Sequence, residues 1–278
     1  MHARRSVQRW LISDELWSFV EPLLPEHKNT HPFGGGRPRR SDRDAMSAIL
    51  FVARTGCQWN ALNATGICSS STAHRRFQEW RAAGVFETLW RSGLEVYHEL
   101  QGLDWSWLSM DGAMTKAPLG GGKTGPNPTD RAKSGTKRSV LVEAAGLPVG
   151  LAVAAANVND FKLARETLES IPVKKPRPRP KRRQNLCLDK GYDYEEVRGL
   201  AREYRLTPHI RCRGEEAVLI RRGGRFRARR WVVERTHSWA NRFRRVLVRW
   251  EKKAENYVAM VHLCFACIAF HRSGLLLG

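Results

Sequence analysis

Two short stretches decide the fold of this 278-residue chain: LDWSWLSMDG at residues 103–112 and QNLCLDKG at residues 184–191. Each alternates apolar and polar residues, as a half-buried strand does, and each ends in an aspartate with a glycine close behind. If the two strands lie side by side and parallel, Asp111 and Asp189 project from the same end of the sheet. Open α/β sheets bind ligands at that carboxyl end. The structural alternative is that each aspartate only caps the turn after its strand.

The segments around these strands predict an α/β domain. We expect a hairpin at 137–160, a short helix at 161–171 with Asp160 as its N-cap, a helix at 192–204, a strand at 206–211 and a helix at 230–253. This order of strand, hairpin, helix, strand, helix, strand and helix predicts a mixed sheet flanked by helices.

The first hundred residues have a different, all-helical pattern. Capped helices are predicted at 13–24, 41–56 and 69–84, and the Gly-rich stretch 31–40 is a basic connector. The last two helices, the second with Arg75 and Arg76 near its start, suggest a helix-turn-helix, although a plain helical bundle fits the same pattern. We therefore predict a small helical DNA-binding domain at 1–100 and a second domain at 101–278.

The charge is concentrated in one part of the chain. The formal net charge is +21 and the sequence pI is about 10.5. Residues 171–253 contain 26 Lys and Arg but only 9 Asp and Glu, so they carry a net +17 of this charge. Such a block indicates a polyanionic partner, nucleic acid first, with an anionic membrane surface or a basic tail as alternatives. Because Trp, Val, Leu and Phe recur within it at helical spacing, a disordered tail is the weaker interpretation.

The six cysteines form no recognisable metal or disulfide framework. Cys264 and Cys267 give a CxxC inside an apolar run, where small buried thiols are the commoner interpretation, and the other spacings are not those of zinc sites. No signal peptide is visible at the start, and the apolar run of about 13 residues near the C-terminus is shorter than a membrane span. We expect reduced cysteines, a cytoplasmic protein and no membrane partner.

The stretch RWVVERTHSWANRFRRVLVRWEKK, residues 230–253, contains one acid among many arginines. Phasing at 100° per residue places Glu234 on the polar face of the predicted helix, at i+4 from Arg230. The opposite face carries an apolar stripe of Val232, Trp239, Phe243, Val246, Leu247 and Trp250. Glu234 is either an ordinary surface ion-pair partner of Arg230 or a third ligand beside Asp111 and Asp189.

Three carboxylates on rigid elements suit two Mg²⁺ ions, which prefer a few carboxylates, retain waters and complete their shells with substrate phosphate. Two such ions can activate a nucleophile and stabilise the leaving oxygen of a phosphoryl displacement. Surrounding arginines would then neutralise the phosphates that flank the cleaved bond.

Several motifs together resemble one known family. SMDGAMTKAP, GPNPTDRAKSGTKRSVLVEAAGLPVGLAVAAANVND, LCLDKGYD and the long stretch from RWVVE to VAMVHL are similar, in this order, to the catalytic core of DDE transposases from bacterial insertion sequences. Within these, the chain is most similar to the insertion-sequence-five (IS-five) family. GCQW at 56–59 and STAHRRFQEWRAAGVFE at 71–87 resemble the N-terminal helical module of that family. The resemblance covers nearly the whole chain.

The resemblance implies an RNase H-like fold, Mg²⁺-dependent cleavage at the ends of a mobile element, and joining of the 3′-OH ends to target DNA. Mn²⁺ is expected to substitute for Mg²⁺. The implied partner is double-stranded DNA, namely the terminal inverted repeats and the target, bound by at least a homodimer in the bacterial cytoplasm near the nucleoid. A nuclease that cuts without joining and a DNA-binding protein without catalysis are the alternatives.

Carried over residue by residue, the resemblance implies that Asp111, Asp189 and Glu234 are the catalytic and metal-binding residues. In the signature around the third acid, Arg230 matches, but Arg227 occupies the usual Tyr position and Asn241 the usual Lys position. Arg242 or Arg245 could take over from that lysine. The basic residues expected to contact DNA are Arg37, Arg39, Arg40, Arg75, Arg76, Lys116, Lys133, Lys137, Arg138, Arg230, Arg242, Arg244 and Arg245.

Overall fold

The structure, a computed structural model, describes residues 10–27, 39–210 and 229–276. Its α-helices are α1 Asp14–Val20, α2 Asp42–Thr55, α3 Ser70–Ala82, α4 Val85–Leu100, α5 Ala164–Glu169, α6 Glu195–Glu203, α7 Arg230–Asn241, α8 Arg244–Leu247 and α9 Ala254–Arg272. Its strands are β1 Trp107–Lys116, β2 Gly125–Pro126, β3 Ser134–Val142, β4 Pro148–Ala155, β5 Gln184–Leu188 and β6 Leu206–Ile210.

The sheet has β1 at its centre. On one side β3 runs antiparallel to β1, and β4 and the short β2 pair antiparallel to β3. On the other side β5 and then β6 run parallel to β1. The predicted mixed sheet flanked by helices is confirmed. Apart from the short β2, its order of three antiparallel strands followed by two parallel ones is that of the expected RNase H-like fold.

The N-terminal part is helical, as predicted. The Ser13 hydroxyl accepts from the Leu16 amide at the start of α1, and Ser41 does the same for Asp44 at the start of α2. Gly56 ends α2 with a φ of 70°. The connection from α2 to α3 runs over residues 56–69 and contains a 3₁₀ turn, so it is longer than the three- or four-residue turn of a typical helix-turn-helix.

One hydrophobic core runs through the helical part and the sheet. Helix α4, which the sequence patterns did not predict, packs along α9, and the Trp90 indole donates to the Pro148 carbonyl at 3.0 Å. The division of the chain at residue 100 therefore stays a prediction.

Helix α9 has 19 residues and is longer than the apolar run predicted from the sequence. By length and composition alone this helix could cross a membrane. The apolar run expected from the sequence is too short for a membrane span, so this was not predicted. Most of it is nevertheless buried inside the protein, as in the core helix of a globular fold.

Two predicted elements differ from the structure. Asp111 was expected at the end of its strand, but β1 continues to Lys116 because its antiparallel pairing with β3 extends that far. The predicted helix at 230–253 is interrupted: α7 ends at Asn241, and the backbone of Phe243 is extended before α8 begins. Val248 then bridges to Lys116, and the Arg249 amide donates to the Lys116 carbonyl at 2.8 Å, so pairing with the end of β1 replaces further helix.

Candidate active site

Asp111 lies in β1 just past the last residue that pairs with β5. The parallel register ends at Ser109 opposite Cys187, so the edge of β1 at Asp111 is free of β5. One carboxylate oxygen accepts from the Gly112 amide at 2.8 Å. Burial raises the pKa of Asp111 to about 6, opposed by the Gly112 bond and reinforced by the charges of Asp189, Asp160 and Glu234. These four carboxyl groups are therefore electrostatic neighbours.

Asp189 follows directly after β5. It is the N-cap of a 3₁₀ turn, Lys190–Tyr192, and its carboxylate accepts from the Gly191 amide at 2.8 Å. The capping alternative considered from the sequence is thus observed for Asp189. The same bond also orients the side chain, because it fixes one oxygen and leaves the other available.

Glu234 lies in the second turn of α7 and is exposed. It makes no ion pair with another residue in the described ranges, so the alternative of a pair with Arg230 is not observed. Two contacts hold α7 against β1: the Ser109 hydroxyl donates to the Arg229 carbonyl at 3.1 Å, and the His237 ring bonds to the Asp111 backbone. Helix and strand are thereby fixed at both ends of the segment that contains Glu234.

His237 is buried and neutral. Burial and the nearby Arg138 guanidinium lower the pKa of His237 to about 3, although its bond to the Asp111 backbone favours the charged form. Its Nε2 is buried and has no hydrogen-bond partner within the described ranges. Sequence reasoning assigned His237 no role; its place at i+3 from Glu234, on the neighbouring face of the helix, was the available signal.

The carboxylates fit a hard divalent cation by chemistry. The groups that could bind an ion here are carboxylates. The negative charges of Asp189, Asp160 and Glu234 disfavour ionisation of Asp111, and a bound cation would offset this repulsion. One oxygen of Asp160, Oδ1, is buried, and no described residue bonds to it. In the part of the chain that the structure describes, no three His, Cys, Asp or Glu side chains are grouped closely enough to hold one ion. The donor set is present, and ligation would require these side chains to move closer together.

The predicted cap Asp160 has another position. The N-cap of the 3₁₀ turn Asp160–Leu163 is Asn159, and no side chain caps this turn, so the capping prediction is wrong. The Asp160 carboxylate instead accepts from the Lys137 ammonium at 3.1 Å.

Six of the predicted DNA-contacting residues have exposed side chains: Arg40, Arg75, Lys116, Lys133, Arg242 and Arg244. Arg230 is half-buried, and so is Arg39, which pairs with Asp42 and Glu79. Arg37 lies outside the described residues.

The structure corrects the DNA-contact prediction for four residues that are buried: Arg76, Lys137, Arg138 and Arg245. Arg76 pairs with Asp42 and Glu79, both at 2.9 Å. Arg245 bonds to the Glu251 carboxylate and to the Cys57 carbonyl, so it is also unsuited to replace the family's lysine. Charge alone predicted surface positions, but tertiary partners hold these groups inside the fold.

The contacts of Arg138 explain why position 241, where the family usually has a lysine, is an asparagine in this chain. Arg138 is 1% exposed, and its guanidinium donates to the Asn241 amide oxygen at 2.9 Å and to the Val246 carbonyl at 3.3 Å. An uncharged acceptor therefore occupies position 241 beside a buried cation, where a lysine would add a second positive charge.

Comparison with known proteins gives consistent matches. A family described as "Transposase DDE domain" matches residues 102–269, and one described as "Putative transposase of IS4/5 family" matches residues 12–90. A Burkholderia cepacia protein described as "Putative transposase for insertion sequence element IS402" is 38% identical over 149 residues, 52% of this chain and 68% of its own length. A second protein of that organism, "Insertion element IS402 uncharacterized 16.2 kDa protein", is 38% identical over 119 residues, 42% of this chain and 81% of its own.

Among solved structures, the crystal structure of a pre-cleavage Mos1 transpososome aligns with 91% of this chain and 83% of its own chain. The identity is 10% and the TM-score is 0.29, which is too low to carry an argument about the site.

Proposed function

Since the chain belongs to the DDE transposases of bacterial insertion sequences, we propose that it binds the terminal inverted repeats of its element, cleaves the phosphodiester bonds at the element ends and joins the freed 3′-OH groups to target DNA. The observation that carries this proposal is the placement of Asp111, Asp189 and Glu234 on three elements that pack together. These acids come from a central strand, the end of its parallel neighbour and a helix bonded to both Ser109 and Asp111.

Asp111, Asp189 and Glu234 would hold two Mg²⁺ ions, or Mn²⁺ in their place. When bound, these ions supply activation of the attacking oxygen and stabilisation of the leaving oxygen. The Gly112 and Gly191 amides orient the two aspartates, and the contacts of Ser109 and His237 keep Glu234 against β1. Orientation of this kind lowers the cost of assembling the reactive geometry.

In this proposal the accessible basic residues bind the DNA. The exposed set, Arg40, Arg75, Lys116, Lys133, Arg242 and Arg244, together with the half-buried Arg39 and Arg230, contacts phosphates of the duplex. Arg242 and Arg244 follow the helix that carries Glu234, so they reach phosphates close to the cleaved bond. Such contacts position the DNA without reading its sequence. Two element ends require at least a dimer on the DNA, and the enzyme works in the bacterial cytoplasm at the nucleoid.

The test uses the full-length protein, Mg²⁺ and a supercoiled plasmid that carries the element ends found beside the gene. Asp111→Asn, Asp189→Asn and Glu234→Gln should each reduce end cleavage by a factor on the order of 10³ or more while end binding is retained. Glu196→Gln, an exposed acid on α6, is the matched control and should cleave normally. Full cleavage by any of the three variants would overturn the proposal. Cleavage without strand-transfer products would instead identify a nuclease.

A further inference from the structure

Asp160 is anchored by a buried lysine. The Lys137 side chain is 8% exposed, and its ammonium donates to the Val158 carbonyl at 2.7 Å and to Oδ2 of Asp160 at 3.1 Å. Lys137 extends from β3, while Asp160 begins the 3₁₀ turn after β4. The carboxylate is therefore held in one place by two different elements.

Asp160 is also packed against the residue that follows Asp111. A Cβ atom built on Gly112 would stand 1.9 Å from Oδ1 of Asp160 and 3.4 Å from Cδ of Lys137. Only a residue without a side chain leaves room for the carboxylate at this point of β1. Asp160 consequently lies close enough to Asp111 for its charge to disfavour ionisation of the Asp111 carboxyl.

Two buried polar atoms at this place have no hydrogen-bond partner among the residues that the structure describes. One is Oδ1 of Asp160, and the other is the hydroxyl oxygen of Tyr192, whose side chain is fully buried. Tyr192 ends the 3₁₀ turn that begins after Asp189. Burial raises the pKa of Tyr192, the charges of Asp160, Asp111 and Asp189 raise it further, and the neighbouring Ser139 side chain lowers it.

An ordinary structural ion pair explains only part of this arrangement. The Lys137 bond satisfies Oδ2 of Asp160, but it leaves Oδ1 and the Tyr192 hydroxyl buried and unpaired. Native proteins rarely leave such groups unsatisfied, and a bound ion or its water is a usual reason when they do. A buried acceptor and a buried donor close to several acids suit the water shell of a divalent cation.

We infer that Asp160 is a fourth carboxylate of the active site, a positioning residue that Lys137 anchors and that, together with the Tyr192 hydroxyl, holds the hydration shell of the divalent cation bound by Asp111. This inference rests on the proposed function, because it requires the cation site. Lys137 has a second effect: its positive charge opposes the cation, so it limits the affinity of the site.

The experiment measures binding of Mn²⁺ alone to the full-length protein without DNA, from the electron paramagnetic resonance signal of the free ion. Asp160→Asn should weaken binding about tenfold, Tyr192→Phe should weaken it about threefold, and Lys137→Met should strengthen it. Glu166→Gln removes an exposed acid from the same region and is the matched control, with wild-type affinity. Circular dichroism melting shows which variants are folded.

The variant Asp111→Asn distinguishes failure of the inference about Asp160 from failure of the proposed function. If Asp111→Asn abolishes Mn²⁺ binding while Asp160→Asn, Tyr192→Phe and Lys137→Met all bind like Glu166→Gln, the inference is overturned and the proposed function stands. If the wild type binds no Mn²⁺, or Asp111→Asn binds it normally, the proposed function fails first. If Asp160→Asn does not fold, the opposite shifts expected for Tyr192→Phe and Lys137→Met decide the inference.

Discussion

The ring of His237 bonds to the backbone carbonyl of Asp111, so the helix that carries Glu234 is joined to the residue that carries the first acid of the site. Because burial lowers the pKa of His237 to about 3, this ring stays neutral from mildly acidic to basic pH and the bond persists throughout. The relative position of helix α7 and strand β1 therefore does not titrate in the working range of the enzyme.

His237→Phe should keep the fold but loosen α7 from β1. A displacement of about 1 Å at a catalytic group can cost about 100-fold in rate, so we expect end cleavage to fall by 10- to 100-fold. Single-turnover cleavage with the metal at saturation measures this effect. His262→Phe is the control, since His262 is half-buried and stacks on Trp90 in the α4–α9 core. Equal rates for the two variants would contradict the role of the His237 bond.

Asp111 should make the metal-free protein less stable as the pH rises. The folded pKa is about 6, above the ordinary value of 3.8, so between these values the native state binds a proton that the unfolded chain has lost. The contribution of Asp111 to the free energy of unfolding is therefore greatest below about pH 4 and falls by at most about 3 kcal/mol as the pH rises to about 6.

Asp111→Asn should remove this loss. In the absence of divalent metal, we expect this variant to melt a few degrees above the wild type at pH 7.5 and close to it at pH 4. His237 destabilises both proteins in acid, so the difference between them isolates Asp111. Equal melting temperatures of the variant and the wild type at both pH values would show that folding does not raise the pKa of Asp111.

Asn241→Lys, which restores the family's usual residue, should destabilise this protein. The new ammonium would replace the acceptor of the Arg138 bond and place a second cation beside a buried guanidinium, at a cost of about 1–3 kcal/mol. Urea unfolding measures the loss. Arg242→Lys, a change at an exposed neighbour, should have little effect, and Asn241→Asp should be tolerated because it keeps the acceptor. An unchanged free energy of unfolding in Asn241→Lys would contradict this account.

The sequence predicted those parts of the site that depend on local patterns. Asp189 directly follows a strand, as its alternating residues indicate, and Glu234 lies on the face of α7 that points away from the buried Val232 and Val233. Asp111 was placed at a strand end because its local pattern stops there. The pairing of β1 with β3, which carries the strand on to Lys116, depends on residues 19 to 29 positions away.

The parts that could not be predicted depend on tertiary partners. Nothing local distinguishes the buried Arg245 from the exposed Arg244, because Glu251 and the Cys57 carbonyl reach Arg245 only in the folded chain. Likewise, the pattern before α5 suggested that Asp160 is a helix cap, and only the approach of β3 and Gly112 places its carboxylate beside Asp111.

Arg244→Gln and Arg245→Gln form a matched pair that separates DNA contact from structure. Arg244→Gln should weaken DNA binding and reduce the slope of log K against log salt by about one, because one phosphate contact is lost. Arg245→Gln leaves Glu251 buried without its partner and should cost about 3–5 kcal/mol of stability. Salt-dependent fluorescence anisotropy and urea unfolding give the two readouts. An unchanged salt slope in Arg244→Gln would remove it from the DNA-contacting set.

Gly112→Ala tests the packing of Asp160 against β1. The added methyl group would meet Oδ1 of Asp160 at 1.9 Å, so the carboxylate must move away from Asp111. We expect the variant to fold with reduced stability and to lose most of its end cleavage. The double variant Gly112→Ala, Asp160→Ala relieves the clash and should recover stability, measured by thermal melting, but not cleavage. Recovery of cleavage in the double variant would mean that Asp160 only fills space, whereas recovery of stability alone is the result expected if its carboxylate serves the site.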